Sequence, residues 1–263
     1  AVSATRTERD GFDPRRALPR NMDGTGRTTR YEYQRMTRIA DGWQASFGLE
    51  REDTRLRNYA TIPANPATPI PDPIRASARL DSIYGQLSAQ VLAPLTVTAG
   101  LRHDDHDRFG GNTVFSAGSV LSLLGGNTLV RANYGEGFKA PSLYQLGSQY
   151  GNAALRPESS KGWEAGIEQR LFDRALILQA TWFDRTARDL IVYYGCSGVP
   201  SGLCLQPGSR TVGRLGYYDN VSRTATHGVE LGAAFDFGGF TLSGNYSWVD
   251  AGDRSPGATF GKR

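Results

Sequence analysis

The residues best suited to chemistry sit in four short stretches. His103-Asp104-Asp105-His106-Asp107 crowds carboxylates and imidazoles into consecutive positions. Carboxylates grouped at a loop suit Ca²⁺, a hard cation that takes about six to eight oxygen ligands. Adjacent side chains on an extended chain point to opposite faces, so only Asp105 and Asp107 can share one cation, and other ligands must come from elsewhere. A solvated, charged loop tip is the simpler reading of this run. Cys196 and Cys204 are the only cysteines. With no histidine nearby they make a poor metal site, and they stand either as a loop closure or as two unrelated thiols. Gly135-x-Gly137-x-x-Ala140 fits the loose glycine pattern of a dinucleotide-binding turn. That chemistry needs a helix whose N-terminal amides face the pyrophosphate, and Pro141 with the polar loop after it argues against a long one. Tyr144, Gln145, Gln149, Tyr150 and Asn152 form the fourth stretch. Tyrosine and asparagine are adaptable contact residues of binding loops, so these five are the candidate ligand contacts, or else they solvate a loop. None of the three histidines, His103, His106 and His227, has a Ser or Cys nucleophile in a suitable context. No catalytic constellation can be assembled, and the chain is expected not to be an enzyme.

Strands must carry these stretches, because period-two alternation dominates the sequence. Trp43, Ala45, Phe47 and Leu49 alternate with Gln44, Ser46, Gly48 and Glu50. Leu95–Arg102, Trp163–Leu171, Val229–Asp236 and Phe240–Trp248 repeat the pattern. Less regular strands fit 29–38, 79–90, 113–123, 128–138 and 176–192. That makes about ten strands, many of them longer than the usual five or six residues. Short turns at 40–42, 92–94, 124–127, 172–174 and 237–239 alternate with connections at 55–78, 108–112, 139–159 and 193–216. All but 108–112 of these connections are long. Pro63, Pro66, Pro69, Pro71 and Pro73 stiffen the first of them.

Composition selects among the β architectures. Hydrophobic residues make up 39% of the 263 positions and glycine 32 of them, a low apolar share with much glycine. Twelve Tyr, 11 Phe and 4 Trp argue against disorder. The net charge of +4 is dispersed, without the dense basic stripe of a nucleic-acid footprint, so no nucleic-acid partner is expected. No apolar run is long enough for a transmembrane helix. Long antiparallel strands with turns at one end and loops at the other describe an up-and-down barrel wall. The apolar face then meets lipid and the charged, glycine-rich face lines a wide lumen. Aromatics near strand ends (Tyr31 and Tyr33, Trp43, Tyr134 and Phe138, Trp182 and Phe183, Phe240, Tyr246 and Trp248) suit interfacial girdles. A soluble β-sandwich is the alternative, with shorter strands and turns not sorted by side.

Several motifs carry a resemblance. Tyr134-Gly135-x-Gly137-Phe138-Lys139-Ala140-Pro141 resembles the "Y-x-x-G-F-[RK]-A-P" signature of TonB-dependent outer-membrane receptors. Gly151-Asn152-Ala153-Ala154-Leu155-Arg156-Pro157-Glu158-Ser159-Ser160 and Trp163-Glu164-Ala165-Gly166 are similar to the landmarks that follow it. Asn220 with Gly228-Val229-Glu230, and Leu101-Arg102-His103-Asp104, resemble further family strands in family order. The resemblance implies a bacterial outer-membrane location, a 22-stranded barrel occluded by an N-terminal plug, and import of a scarce small molecule such as cobalamin or a ferric siderophore. Its implied partners are the TonB energy-transducing complex, reached through an N-terminal region, and outer-membrane lipid and lipopolysaccharide. Residues 1–263 are expected to be part of one such barrel domain, without plug or last strands and with no signal peptide, an interior piece of a longer protein. In that oxidising location Cys196 and Cys204 are expected to form a local disulfide. No resident cofactor is implied, beyond calcium in the outer loops of some cobalamin receptors of the family. A passive porin or barrel adhesin is the rival from another class, and a barrel enzyme is a third.

Overall fold

The computed structural model describes residues 1–12, 14–15, 20–59, 72–198, 202–206 and 210–254. They form one antiparallel sheet of eleven strands in strict sequence order. The strands are β1 (Val2–Phe12), β2 (Arg20–Ala40), β3 (Trp43–Tyr59), β4 (Ile74–Leu92), β5 (Leu95–His106), β6 (Gly110–Leu123), β7 (Thr128–Lys139), β8 (Glu158–Leu171), β9 (Leu176–Gly195), β10 (Gly216–Phe237) and β11 (Phe240–Asp253). Every strand pairs with its sequence neighbour, and β1 and β11 are unpaired along their outer edges among the described residues.

Tight connections follow β2, β4, β6, β8 and β10, and longer ones follow β1, β3, β7 and β9, while β5 and β6 are joined by only three residues, 107–109. The β10–β11 hairpin turns on Gly238 and Gly239, both at positive φ (53° and 89°). A two-residue loop with both centres left-handed matches the right-handed twist of its strands, which is why glycine stands there. The alternation predicts ten strands, and the sheet has eleven. The added one is β1. The connection expected at 55–78 is also shorter, because β3 runs to Tyr59 and β4 starts at Ile74.

The two faces differ as alternation requires. On the outer face Leu49, Ile83, Leu101, Ile167, Leu231 and Leu242 are between 45% and 73% exposed. On the inner face Ser82, Asp104 and Glu168 are buried to 7% or less. Apolar side chains at the surface with carboxylates shielded behind them invert the order of a soluble protein. The outer apolar band ends toward the long loops in an aromatic row. Phe115 meets Tyr134 at 6.2 Å and Trp163 meets Trp182 at 4.0 Å between ring centroids. Trp248 pairs with Val229, which pairs with Trp182. Phe183 does not belong to this girdle. It faces inward, where its ring covers Gly228 and leaves no room for a Cβ.

Candidate functional site

Charge on the inner face is organised in two lattices. In the first, Arg30 of β2 binds Glu52 of β3 at 2.6 Å and approaches Glu50 at 3.6 Å. Arg102 of β5 reaches Glu50 at 3.4 Å, Asp104 at 2.7 Å and the Ser82 hydroxyl at 2.8 Å. The Tyr84 ring lies over Gly48, where a Cβ would come within 2.2 Å of it. Its hydroxyl donates to Glu32 at 2.8 Å, and the Arg102 guanidinium stands 5.5 Å from the ring centroid. Glycine at 48 is therefore what lets Tyr84 bridge β4 to β2. In the second lattice Glu168 accepts from Arg170, Gln179 and Arg131 at 2.7, 3.0 and 3.2 Å. On the strands of the second lattice and on β10, Gly135, Gly137 and Gly162 thin the wall and open a hollow of about 820 Å³ bordered by Glu164, Arg185 and Glu230. Gly135 and Gly137 lie within β7, so these glycines make space in a sheet and build no phosphate-binding turn.

The β7–β8 connection folds inward across this concave face. It contains α1 (Leu143–Gly147), started by a capping box. The Ser142 hydroxyl accepts from Gln145 N–H, and the Gln145 side chain accepts from Ser142 N–H. This helix packs on β3 and β4, several strands away from the β7 and β8 that carry it. The other end of the connection is fastened to β9 and β10. Asn220 accepts from Arg156 N–H at 2.9 Å and donates to the carbonyls of Arg156 and Asp189 at 3.0 and 2.5 Å. Arg156 pairs with the Asp189 carboxylate, and Glu158 accepts from Ile191 N–H at 3.0 Å. Asp189 has positive φ (56°), a local break in β9 that these bonds compensate.

Four tyrosines gather where this connection meets the strands. Tyr144 and Tyr193 contact Tyr218 at 6.3 and 5.6 Å, and Tyr150 contacts Tyr193 at 5.6 Å. The Tyr150 carbonyl accepts from Tyr218 N–H at 2.9 Å. Burial raises the Tyr144 phenol above its ordinary pKa, while the Arg9 charge opposes it. Beside the cluster, Arg214 donates to the carbonyls of Gly151, Gln149 and Leu203 at 2.8, 3.4 and 2.5 Å. Burial lowers its pKa. Cys196 and Cys204 form a disulfide, and Cys204 O accepts from Arg214 N–H at 2.9 Å. The bridge thus braces the segment that presents Arg214.

Of the five candidate ligand contacts, two hold the fold of the loop itself. Gln145 is the capping residue of α1. Asn152 is 7% exposed, accepts from Ala154 N–H and reaches Asp219 at 3.5 Å. Tyr144 and Tyr150 enter the tyrosine cluster. Gln149 Oε1 is enclosed without a hydrogen-bond partner among the described residues. Asp105 lies on the outer face opposite Asp81 and Gly111. Asp107 accepts from Arg79 N–H at 3.0 Å and lies 3.1 Å from His106 Nδ1. Among the described residues no group of three or more His, Cys, Asp or Glu side chains is arranged to hold a metal ion. The proline-rich run from Pro63 to Pro71 lies outside the described residues. Sequence reasoning passed over Tyr193, Tyr218, Arg214 and Asp189. Asn220 and Glu158 stood out only as motif letters, and their hydrogen bonds need the fold to be seen.

A long antiparallel wall, apolar outside and ion-paired inside, with its loops at one end, is the wall of a membrane β-barrel. The chain belongs to the TonB dependent receptor-like β-barrel family, whose model matches residues 2–263. Among solved structures it is similar to the siderophore receptor PirA from Pseudomonas aeruginosa, with 17% identity and a TM-score of 0.71 over 97% of this chain and 50% of that one. A ferric enterobactin receptor (PfeA) mutant from Pseudomonas aeruginosa aligns with 22% identity and a TM-score of 0.70 over 94% of this chain and 40% of that one. The copper transporter OprC aligns with 16% identity and a TM-score of 0.71 over 97% of this chain and 43% of that one. The chain therefore spans about half the length of these proteins, or less, and at these identities the likeness shows the fold alone.

Proposed function

We propose that this chain is part of the wall of an outer-membrane receptor that imports a scarce, bulky polar ligand by energy coupling through the TonB complex. The inverted wall carries the reading. Its outside is fit for lipid and its inside for a hydrated path. The ligand first meets the in-folded connection, where Tyr144, Tyr150, Tyr193 and Tyr218 offer aromatic faces beside the cations Arg9 and Arg214. Aromatic faces next to arginine suit a planar or anionic chelate. A ferric siderophore is the first candidate, in keeping with the siderophore receptors among the structural relatives. Cobalamin is the second, from the motif resemblance.

Growth of a deletion strain separates these candidates. Limiting iron supplied as a siderophore is expected to stop the deletion strain, and the intact gene restores growth only when the TonB complex is present. Rescue only under limiting cobalamin transfers the assignment to cobalamin. Rescue under neither condition discards both ligands. Uptake that persists without the TonB complex favours the passive-pore reading.

A further inference from the structure

The wall splits between β6 and β7 on its loop side. β6 pairs with β5 as far as Gly110, opposite His106, and β7 pairs with β8 as far as Lys139, opposite Glu158. The ladder between β6 and β7 stops earlier, at Ser116 and Gly135. Residues 110–115 of β6 and 136–139 of β7 therefore diverge. The end of β7 leans inward. Phe138 and Lys139 line a cleft with Thr28, Arg102 and His106 of the inner face, and the connection that follows packs on β3 and β4. At the split a side chain takes the place of a carbonyl. Glu136 accepts from Phe115 N–H at 3.1 Å and from the Tyr134 hydroxyl at 2.7 Å. In an antiparallel ladder every second residue aims its backbone groups at the neighbouring strand. Thr113 and Phe138 come next in that series and aim theirs into the split. Unpaired backbone is tolerated where water reaches it and costly where water does not.

A notch of about 210 Å³ lies at the split, and residues of both faces line it. By alternation Asn112, Val114 and Ser160 belong to the inner set, and Lys161, Thr186 and Arg188 to the outer set. The notch shares Glu136, Gly137 and Ser160 with the hollow of about 820 Å³ inside the wall, so the two cavities adjoin through the split. Gly137 keeps the junction clear, since a Cβ there would come within 2.8 Å of the Ser160 hydroxyl. Hydroxyls, charges and an amide make up most of the lining. Asn112 Nδ2 is enclosed there without a hydrogen-bond partner among the described residues, and such a donor calls for water. Glu136 and Lys161 stand two residues beyond Tyr134 and Trp163 of the outer aromatic row. That is about 5 Å toward the loops at the rise and tilt of a membrane strand. The outer end thus meets hydrated headgroups rather than lipid tails. The inner end includes Thr224 and Thr226, on the turn side of the anchor at Asn220, so it lies beneath the connection that crosses the concave face. We propose that the split between β6 and β7 is a side window through which water and small hydrophilic solutes pass between the exterior and the inner hollow. A bulky ligand seated at the mouth must displace water as it descends, and the window gives that water a way out sideways. The assignment rests on the outer-membrane reading above, and it concerns solvent rather than the imported ligand.

Two measurements on the full-length receptor in detergent test the window. The first places cysteine pairs across β6 and β7. Ser116→Cys with Gly135→Cys, at the last rung of the ladder, is expected to close to a disulfide on mild oxidation, because opposite residues there stand within bridging distance. Val114→Cys with Gly137→Cys, the rung that a continued ladder would make, is expected to stay reduced. Equal closure of both pairs overturns the split. The second measurement follows Ser160→Cys, at the junction of the two cavities. A small charged methanethiosulfonate is expected to label it, and a maleimide carried on a large polymer is not. Filling the notch with Val114→Trp is expected to slow the small label about 10-fold. An unchanged rate in the folded variant shows that solutes enter by the mouth and overturns the window. Equal labelling by both reagents, or none by the small one, overturns it too. If the tryptophan variant does not fold, the cysteine pairs still decide. Neither measurement depends on where the receptor resides, whereas its failure to fractionate with the outer membrane would sink the membrane reading instead.

Discussion

Asn220 concentrates several roles in one amide. It satisfies two carbonyls and one N–H beside the break at Asp189. Asn220→Ala leaves these groups without a partner, and such deletions cost about 1–3 kcal/mol per orphaned group when water cannot replace the bond. Hydrogen exchange at Arg156 is expected to rise in the variant while exchange in β5 stays fixed. Unchanged protection at Arg156 would show that the clamp is held elsewhere. A second prediction concerns Gly48, where an added Cβ would meet the Tyr84 ring at 2.2 Å. Gly48→Val is expected to displace Tyr84 from Glu32 and to cost about 1–3 kcal/mol, as overpacking does. A lower melting temperature in detergent checks it, and Gly244→Val provides the contrast, because nothing lies within 4 Å of that position.

Strands were legible in the sequence only where one face meets lipid. From Trp43 to Leu49 every second residue is apolar, and the pattern stands out. Beyond Leu49 the outer face of β3 continues as Arg51, Asp53, Arg55 and Arg57, and both faces become polar. The period-two signal vanishes although the hydrogen-bonded ladder continues. The same loss hid β1, whose residues Thr5 to Arg9 are polar on both sides, and the first half of β10. The inward path of the β7–β8 connection was not legible either, because its anchors lie on β3, β4, β9 and β10, far away in sequence. At this scale the disulfide matters through what it braces. Closing so short a loop stabilises by about 2–3 kcal/mol. Cys196→Ser with Cys204→Ser is expected to speed proteolysis after Arg214 and to weaken ligand affinity, while the melting of the strands is unchanged. Equal proteolysis with and without the bridge would separate Arg214 from it.

The whole sheet poses a problem of edges and surfaces. β1 and β11 present unpaired backbone along the described edges, and such edges recruit other chains. The 263-residue chain produced alone is expected to form edge-to-edge aggregates in water and to stay dispersed only in detergent or when co-folded with the remaining wall. A soluble monomer on a sizing column would contradict this. The Trp163–Trp182 pair belongs to the outer face, so lipids carrying bromine near their headgroups are expected to quench its fluorescence in the reconstituted receptor. Loss of that quenching on moving the bromines to the chain ends would fix the pair near the interface.

The connection from Lys139 to Glu158 reaches one flank of the bowl through α1 and the opposite flank through Asn220. Tied at both flanks, it works as a crossbeam. Splaying the mouth would have to stretch it, and squeezing the mouth would have to buckle it. The aperture is thereby given a set width, and cutting this single span would let the rim breathe while the strands below kept their ladder.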